Sequence, residues 1–414
     1  MVYFIWTNQG NVTRILVFTV REVEMNREIY LDNSATTRQF DEVTAYMSHI
    51  AGNVYGNPSS LHRKGIEAEK HLKKARQAVA DSLKVESRDL YFTSGGTEAN
   101  NLAILGCLEA NPRLGRHIIT TQVEHPSVLE VFRFLEKKGY KTDFIKVDSF
   151  GTIDLDELES KISPETALIS IILVNNEIGT VQPVEEIIRI KNSIKRDALI
   201  HVDAVQAYCK IPVFPQRAGI DFLSVSSHKI HGPKGVGALY AKRGVKISPV
   251  FYGGGQETAL RSGTENVPGI CGFGMASEMI SGSIDENHKK VKTIKEAFIK
   301  RLGNLSEDFK MISPGASLPY ILNIAFAGLK AEVLLHHLEE FNIFVSTGSA
   351  CSSRKNTHSH VLKAVKLDSK YIEGAIRFSF SALNSVAEAE ETVEALKVII
   401  PKIKIKRGGQ AWKK

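Results

Sequence analysis

Cysteine is scarce in this sequence, and its scarcity excludes the scaffolds that depend on it. Only four occur among 414 residues, Cys107, Cys209, Cys271 and Cys351, at unrelated spacings and with no Cys-x-x-Cys pair. That argues against a disulfide framework or a zinc ribbon and for a reducing compartment. Long apolar runs are lacking as well. No window reaches the roughly 18 continuous apolar residues of a membrane span, and the start has no basic stretch of the secretory kind. A cytoplasmic location and no membrane partner are therefore expected. Charge of one sign is not concentrated either. The formal net charge is +7, but Lys and Arg are mixed with Asp and Glu along the chain, so no nucleic-acid partner is expected. The one dense basic run, Lys402 to Arg407 with Lys413 and Lys414, reads as a solvated tail.

What is present is ordinary globular composition, 43% hydrophobic and 24% charged, in a chain longer than one core usually sustains. The first 24 residues are apolar in Val2–Trp6 and Ile15–Val20 but broken by Asn8, Gln9, Gly10 and Asn11. They do not read as a targeting peptide, and Met25 reads as the true start, with 1–24 as an extension. From Leu90 to Lys242 short β-branched runs alternate with amphipathic ones, the rhythm of βαβ units. Strands are expected at Leu90–Phe92, His117–Thr121, Asp143–Val147, Ala167–Val174, Leu199–Val202, Phe222–Val225 and Gly237–Tyr240, mostly in parallel. Helices are expected at Lys64–Leu83, Glu98–Glu109, Ser127–Lys138 and Val184–Lys195. Beyond Gly253-Gly254-Gly255 the pattern gives one long helix, Val267–Leu302, strands at Tyr320–Phe326 and Ile343–Ser346, and a last helix over Ser385–Ile400. The fold class is α/β: a large domain with a mostly parallel sheet between helices, and a smaller α+β domain. The expected divisions are 25–40, a segment packing on the small domain, 41–275, the large domain, and 276–414, the small one.

Chemistry concentrates at the strand ends. Ser226-Ser227-His228-Lys229 closes a buried strand and opens into a glycine-rich loop, and ligands of open α/β sheets bind at such ends. His201-Val202-Asp203-Ala204-Val205-Gln206 ends another strand with an acid at its tip, and a carboxylate there needs a cationic partner. A lysine with a strand-end aspartate is what a pyridoxal phosphate site requires, the one holding the cofactor, the other keeping its ring protonated. Thr93-Ser94-Gly95-Gly96-Thr97-Glu98 sits between a strand and a helix, where backbone N–H groups favour an anion. An ordinary helix cap at Thr97 is the plainer alternative. Gly232-x-x-Gly235-x-Gly237 lacks the spacing of a dinucleotide fingerprint.

Taken in order, Tyr30-Leu31-Asp32-Asn33-Ser34-Ala35-Thr36-Thr37, Gly56-Asn57-Pro58-Ser59-Ser60 with His62, Ser94–Asn101, Glu124-His125, Val174-Asn175-Asn176-Glu177-Ile178-Gly179, Asp203–Gln206, Ser226–Lys229, Arg261-Ser262-Gly263-Thr264 and Gly348-Ser349-Ala350-Cys351 resemble a cysteine desulfurase of the NifS/IscS type. These enzymes belong to the class V aminotransferase family, with the fold of type I pyridoxal-phosphate enzymes. The resemblance covers the chain from residue 28 to about 400. It implies that Lys229 holds pyridoxal 5'-phosphate, that Asp203 pairs with its ring nitrogen and Gln206 with its ring oxygen, and that His125 stacks on the ring and helps move protons. Gly96, Thr97, Ser226 and His228 would hold the phosphate, with Thr264 reaching it from the second subunit of a homodimer. Asn176 and Arg377, with Asn33, would bind the carboxylate of L-cysteine. Cys351 would take the sulfur as a persulfide, leaving alanine, and pass it to an acceptor such as an iron–sulfur scaffold.

Two positions depart from the family pattern, Gly96 where Ala is frequent and Ser227 where Gly is. Ser346 to His358 is small and polar and reads as a mobile loop, in which Arg354 and Lys355 favour a thiolate at Cys351. Cys107 and Cys271 read as buried hydrophobes, and Cys209 as structural. No metal site is expected, since His358 and His360 have no further ligands at a suitable spacing. A selenocysteine lyase or another enzyme of the same fold is the alternative activity.

Overall fold

The computed structural model describes residues 28–305, 308–347 and 359–408. Its centre is a sheet of seven strands: β2 (Leu90–Thr93), β3 (His117–Thr121), β4 (Lys141–Ile145), β5 (Thr166–Ile172), β6 (Leu199–Asp203), β7 (Phe222–Ser226) and β8 (Gly237–Ala241), after a short β1 (Ile29–Tyr30) that lies elsewhere. The order is β2-β8-β7-β6-β5-β3-β4. The five strands from β7 to β4 are parallel, and β8 is antiparallel to both β7 and β2.

Alternate residues explain why these strands are apolar without a break. Ile118, Leu168, Leu199, Phe222 and Leu239 join one core with the helices Gly96–Ala110 and Pro126–Lys137. Their neighbours Ile119, Ile169, Ile200, Leu223 and Tyr240 join the other core with the helices Arg63–Leu83 and Val267–Ser281. Successive side chains of a strand point to opposite faces, so a sheet covered on both sides needs both sets apolar.

A second sheet of four strands holds β9 (Phe309–Met311), β10 (Ile321–Phe326), β12 (Ser346–Thr347) and β13 (Ala375–Ser379) in the order β12-β13-β10-β9. β1 pairs in parallel with β11 (Ile343–Phe344), Ile29 against Ile343, and Asp32 bridges to Ser379. The segment before the first helix, Asp41–Asn53, is thereby fastened to the small sheet.

Two expectations are corrected. The stretch Val267–Leu302 is two helices, Val267–Ser281 and Ile284–Leu302, separated at Gly282-Ser283. Glycine and serine are weak helix formers, and Asp285 and Glu286 favour a fresh N-terminus. The first helix packs on Arg63–Leu83 and the second on the last helix. That last helix, Val386–Gly408, runs on through Pro401, so the Lys402–Arg407 run is helical. No helix among the described residues is long and apolar enough to cross a membrane.

Candidate active site

Five segments leave the large sheet on the same side. β2 runs with β7 because each is antiparallel to β8, and β3, β5 and β6 are parallel to β7. Their C-terminal ends therefore share one edge, where open α/β sheets gather ligands. Onto it come Ser94–Thr97 after β2, Glu124 and His125 after β3, Asn175 and Asn176 after β5, Asp203 at the tip of β6, and Ser226–Lys229 spanning the end of β7.

One end is shaped for an anion. A cavity of about 370 Å³ is lined by Thr36, Gly95, Gly96, Thr97, Ser226, His228 and Lys234, among others. Gly95, at φ 152°, precedes the helix Gly96–Ala110 with no side-chain cap, so Thr97 lies inside the first turn and is not the cap. The first N–H groups of a helix lack internal partners. Ser226 Oγ is buried without a partner. Burial, helped by Lys229, Lys234 and Lys210, lowers His228 to about 3, so its ring is neutral and Nδ1 meets Thr36 Oγ1 at 3.2 Å. A methyl at Gly96 would lie 2.6 Å from Val205 Cγ2. Val205 occupies the space an alanine would use, which accounts for the first departure noted in the sequence.

The middle is built round a buried acid. Asp203 is 3% exposed. Its Oδ2 accepts from Asn100 Nδ2 at 2.7 Å and its Oδ1 from Val205 N at 3.0 Å. Both donors are neutral, and among the described residues Asp203 forms no ion pair. Asn100 Nδ2 also donates to Ser127 Oγ at 2.9 Å, which meets His125 Nδ1 at 2.8 Å. His125 caps the helix Pro126–Lys137, its Nδ1 accepting from Ser127 N at 3.2 Å. A neutral ring so held carries its proton on Nε2. Burial lowers the His125 pKa against the pull of Asp203. Lys229 ends the turn Ser227–Lys229, and its Nζ donates to the carbonyls of Ser34 at 2.5 Å and Ala35 at 2.7 Å. Gln206 Nε2 donates to the same Ser34 oxygen at 2.9 Å.

The other end is a guanidinium. Arg377 is 3% exposed on β13, with Nη2 at 2.9 Å from Asp32 Oδ1 and Nη1 at 2.9 Å from the Asn176 carbonyl. This is no surface ion pair. Its Nε is buried without a partner. Asn33 turns its amide nitrogen to the carbonyls of Tyr30 at 3.2 Å and Ser379 at 2.9 Å, bracing the N-terminal segment. Thr264 is exposed and does not line the anion cavity of its own chain.

Cys107, Cys209 and Cys271 are buried free thiols. Burial pushes Cys209 and Cys271 up to about 12 and Cys107 higher still, so all three are inert. Cys351 lies outside the described residues, as do Arg354, Lys355 and His358. Among the described residues no cluster of His, Cys, Asp and Glu could hold a metal ion. Reasoning from sequence overlooked three residues of the site. Asn100 stands inside the Ser94–Asn101 motif and could have been singled out. Asp32 stands inside the Tyr30–Thr37 motif, but its pairing with Arg377, 345 positions away, had no signal, and neither had Lys210, which resembles any surface lysine.

The edge thus offers a recessed anion cradle, a buried carboxylate awaiting a cation, an amine and a guanidinium. It suits a flat phosphorylated ring with a protonated nitrogen, and beside it a small carboxylate.

Known proteins match this chain over nearly all of it. The aminotransferase class-V family model matches residues 29–392. "Cysteine desulfurase IscS" of Dictyoglomus turgidum is 41% identical over 391 residues, 94% of this chain and 99% of that protein. A solved "NIFS-LIKE PROTEIN" superposes with a TM-score of 0.86 at 39% identity, covering 91% of this chain and 100% of the other. The structure "SspA in complex with cysteine" gives 0.75 at 34% identity, covering 85% and 98%.

Proposed function

The chain belongs to the class-V aminotransferase family, and from that premise we propose that it is a pyridoxal-phosphate-dependent cysteine desulfurase, converting L-cysteine to L-alanine and taking the sulfur on Cys351. The observation that carries the reading is the Asp203 carboxylate, buried at a strand tip with neutral donors only. Such a group calls for a cation, and a protonated pyridine nitrogen is one. The uncommitted Ser226 Oγ and the turn at Gly95–Thr97 fit a phosphate, and the uncommitted Arg377 Nε fits a carboxylate oxygen.

Lys229, Asp203, Gln206, Ser226, His228, Gly96 and Thr97 would hold the cofactor, and the His125 ring would lie against its face. When bound, pyridoxal phosphate supplies an electron sink that lets the α-proton of an attached amino acid leave. Arg377, with Asn176 and Asn33 beside it, fixes the L-cysteine carboxylate and so the orientation of the Cα–H bond. Lys229 is the amine within reach to take that proton, and His125 holds another at Nε2 for the departing fragment. Cys351 forms a bond to the substrate sulfur as the carbon–sulfur bond breaks. The electron pair passes to the carbon skeleton, which gains protons to become alanine, and Cys351 is left as a persulfide.

Delivery of that sulfur to an acceptor such as an iron–sulfur scaffold belongs to the same reading. So does a homodimer in which Thr264 completes the cradle of the other subunit. The likeness to "Cysteine desulfurase IscS" and to the solved complex of SspA with cysteine supports this substrate.

The test measures alanine from L-cysteine, with a reducing thiol present, for wild type and Cys351→Ala. Both must retain the cofactor's visible absorption. The variant is expected to keep the absorption and lose alanine production. Turnover equal to wild type would overturn the persulfide route and favour a selenocysteine lyase or another activity of the family.

A further inference from the structure

Lys210 is a buried lysine without a counter-ion. Its side chain is 6% exposed, and among the described residues it forms no ion pair. Its Nζ donates to Gln206 Oε1 at 2.9 Å and lies 5.6 Å from the centre of the Tyr320 ring. Burying an amine with so little compensation is costly. Burial, with the charges of Lys229 and Arg377, lowers it to about 7. The titratable groups facing it do not offset this. Cys209 and Tyr320 are kept neutral by burial, and His231 is lowered to about 4 by burial, with Lys210 itself contributing. His288 meets only its backbone carbonyl, at 3.4 Å.

We propose that Lys210 is a positioning residue that locks the direction of the Gln206 amide in the cofactor site. The two ends of a glutamine amide have the same shape and opposite polarity, so packing alone does not choose between them. A donor at 2.9 Å does. With Oε1 committed to Lys210, Nε2 must point the other way, where it donates to Ser34 O at 2.9 Å, the oxygen that also takes Lys229 Nζ at 2.5 Å. Nε2 is thereby held beside the reactive amine as a donor. Without Lys210 the amide can turn, and its oxygen then faces an ionised ring oxygen, acceptor against acceptor. This rests on the proposed placement of Gln206 at the cofactor's ring oxygen.

The test uses the cofactor-loaded full chain without substrate and follows its visible absorption against pH. Wild type, Lys210→Met, Gln206→Ala and the double variant form a cycle. Losing a donor to the ring oxygen favours the protonated form, whereas a direct effect of the Lys210 charge on the ring would persist without Gln206 and add in the double variant. Each single variant should therefore raise the midpoint, by about one pH unit, and the double variant should move it no further than Gln206→Ala. An unmoved midpoint in Lys210→Met, or a shift that adds in full to that of Gln206→Ala, overturns the lock while leaving the placement of Gln206 intact. An unmoved midpoint in Gln206→Ala overturns both. Should the Met variant not fold, Lys210→Leu, which likewise has no donor, takes its place: a rise absent from the Gln206→Ala background supports the lock, and a lowered melting temperature with no such rise overturns it.

Discussion

The two ends of the site both suit an anion and do so by different chemistry. At Gly95–Thr97 and Ser226 the donors are neutral, numerous and set in backbone. At Arg377 there is one cation, buried, with two of its nitrogens already engaged by Asp32 and Asn176. Many weak fixed donors suit an anion that stays, since each is small and all must be lost together. One strong donor with a free edge suits an anion that comes and goes each turnover, because a single contact governs its release. The rigid end stands on the large sheet save for Thr36 of the N-terminal segment, whereas the guanidinium end is assembled from the small sheet, the N-terminal segment and the loop after β5.

Three substitutions break or sharpen that contrast. Arg377→Lys should have the largest effect. An ammonium cannot reproduce a guanidinium shared among Asp32, Asn176 and a carboxylate, so KM for L-cysteine should rise roughly 10- to 100-fold, with cofactor retention unchanged. Steady-state kinetics beside an absorption spectrum checks this, and loss of cofactor instead would erase the distinction between the ends. Gly96→Ala should act oppositely. Its methyl meets Val205 Cγ2 at 2.6 Å, overpacking that costs about 1–3 kcal/mol. Cofactor should dissociate faster with little change in KM, and Gly96→Ala with Val205→Ala should restore retention, as dialysis followed by absorbance would report.

The smallest effect concerns pH. Glu177, beside Asn176, is raised by burial from 4.5 to about 7, and Ser359 donates to it at 2.5 Å. The native carboxyl keeps its proton where the unfolded one has lost it. The associated stability is complete below about pH 4.5, declines as pH rises through about 7 and is flat beyond. Glu177→Gln, which cannot ionise, should remove that decline, so its melting temperature should gain a few degrees on wild type between acid and neutral pH. Calorimetry across the range decides it, and parallel curves would show that Glu177 is ionised in the folded protein.

The rigid end was legible in the sequence and the guanidinium end only in part, for a physical reason. The cradle, Asp203 and Lys229 each follow a continuous apolar run, because a strand buried on both faces must be apolar at every position and its end is therefore marked. Arg377 was picked out by resemblance, but its partner Asp32 is on a segment whose only regular structure is the two residues of β1, too short for any periodicity. Lys210 was passed over because burial of a lysine is decided by tertiary packing. The break at Gly282 was invisible because apolar spacing continues on both sides of it, and the helix through Pro401 outlasted a residue that normally ends one.

The pairing of β1 with β11 and of Asp32 with Ser379 also orders the birth of the molecule in time. A chain grows from its N-terminus, and early-made domains fold while later ones are still being translated. The strands that bear the cradle and Lys229 can assemble once β8 has been made. Ser34, whose carbonyl receives Lys229, belongs to the first-made stretch, which the large domain holds at His228 and His231, yet its other side is fastened only when residues 343–379 emerge from the ribosome. The pocket therefore waits, with one wall missing, through the synthesis of more than a hundred residues between Ala241 and Ile343. Only a nearly finished chain can close it.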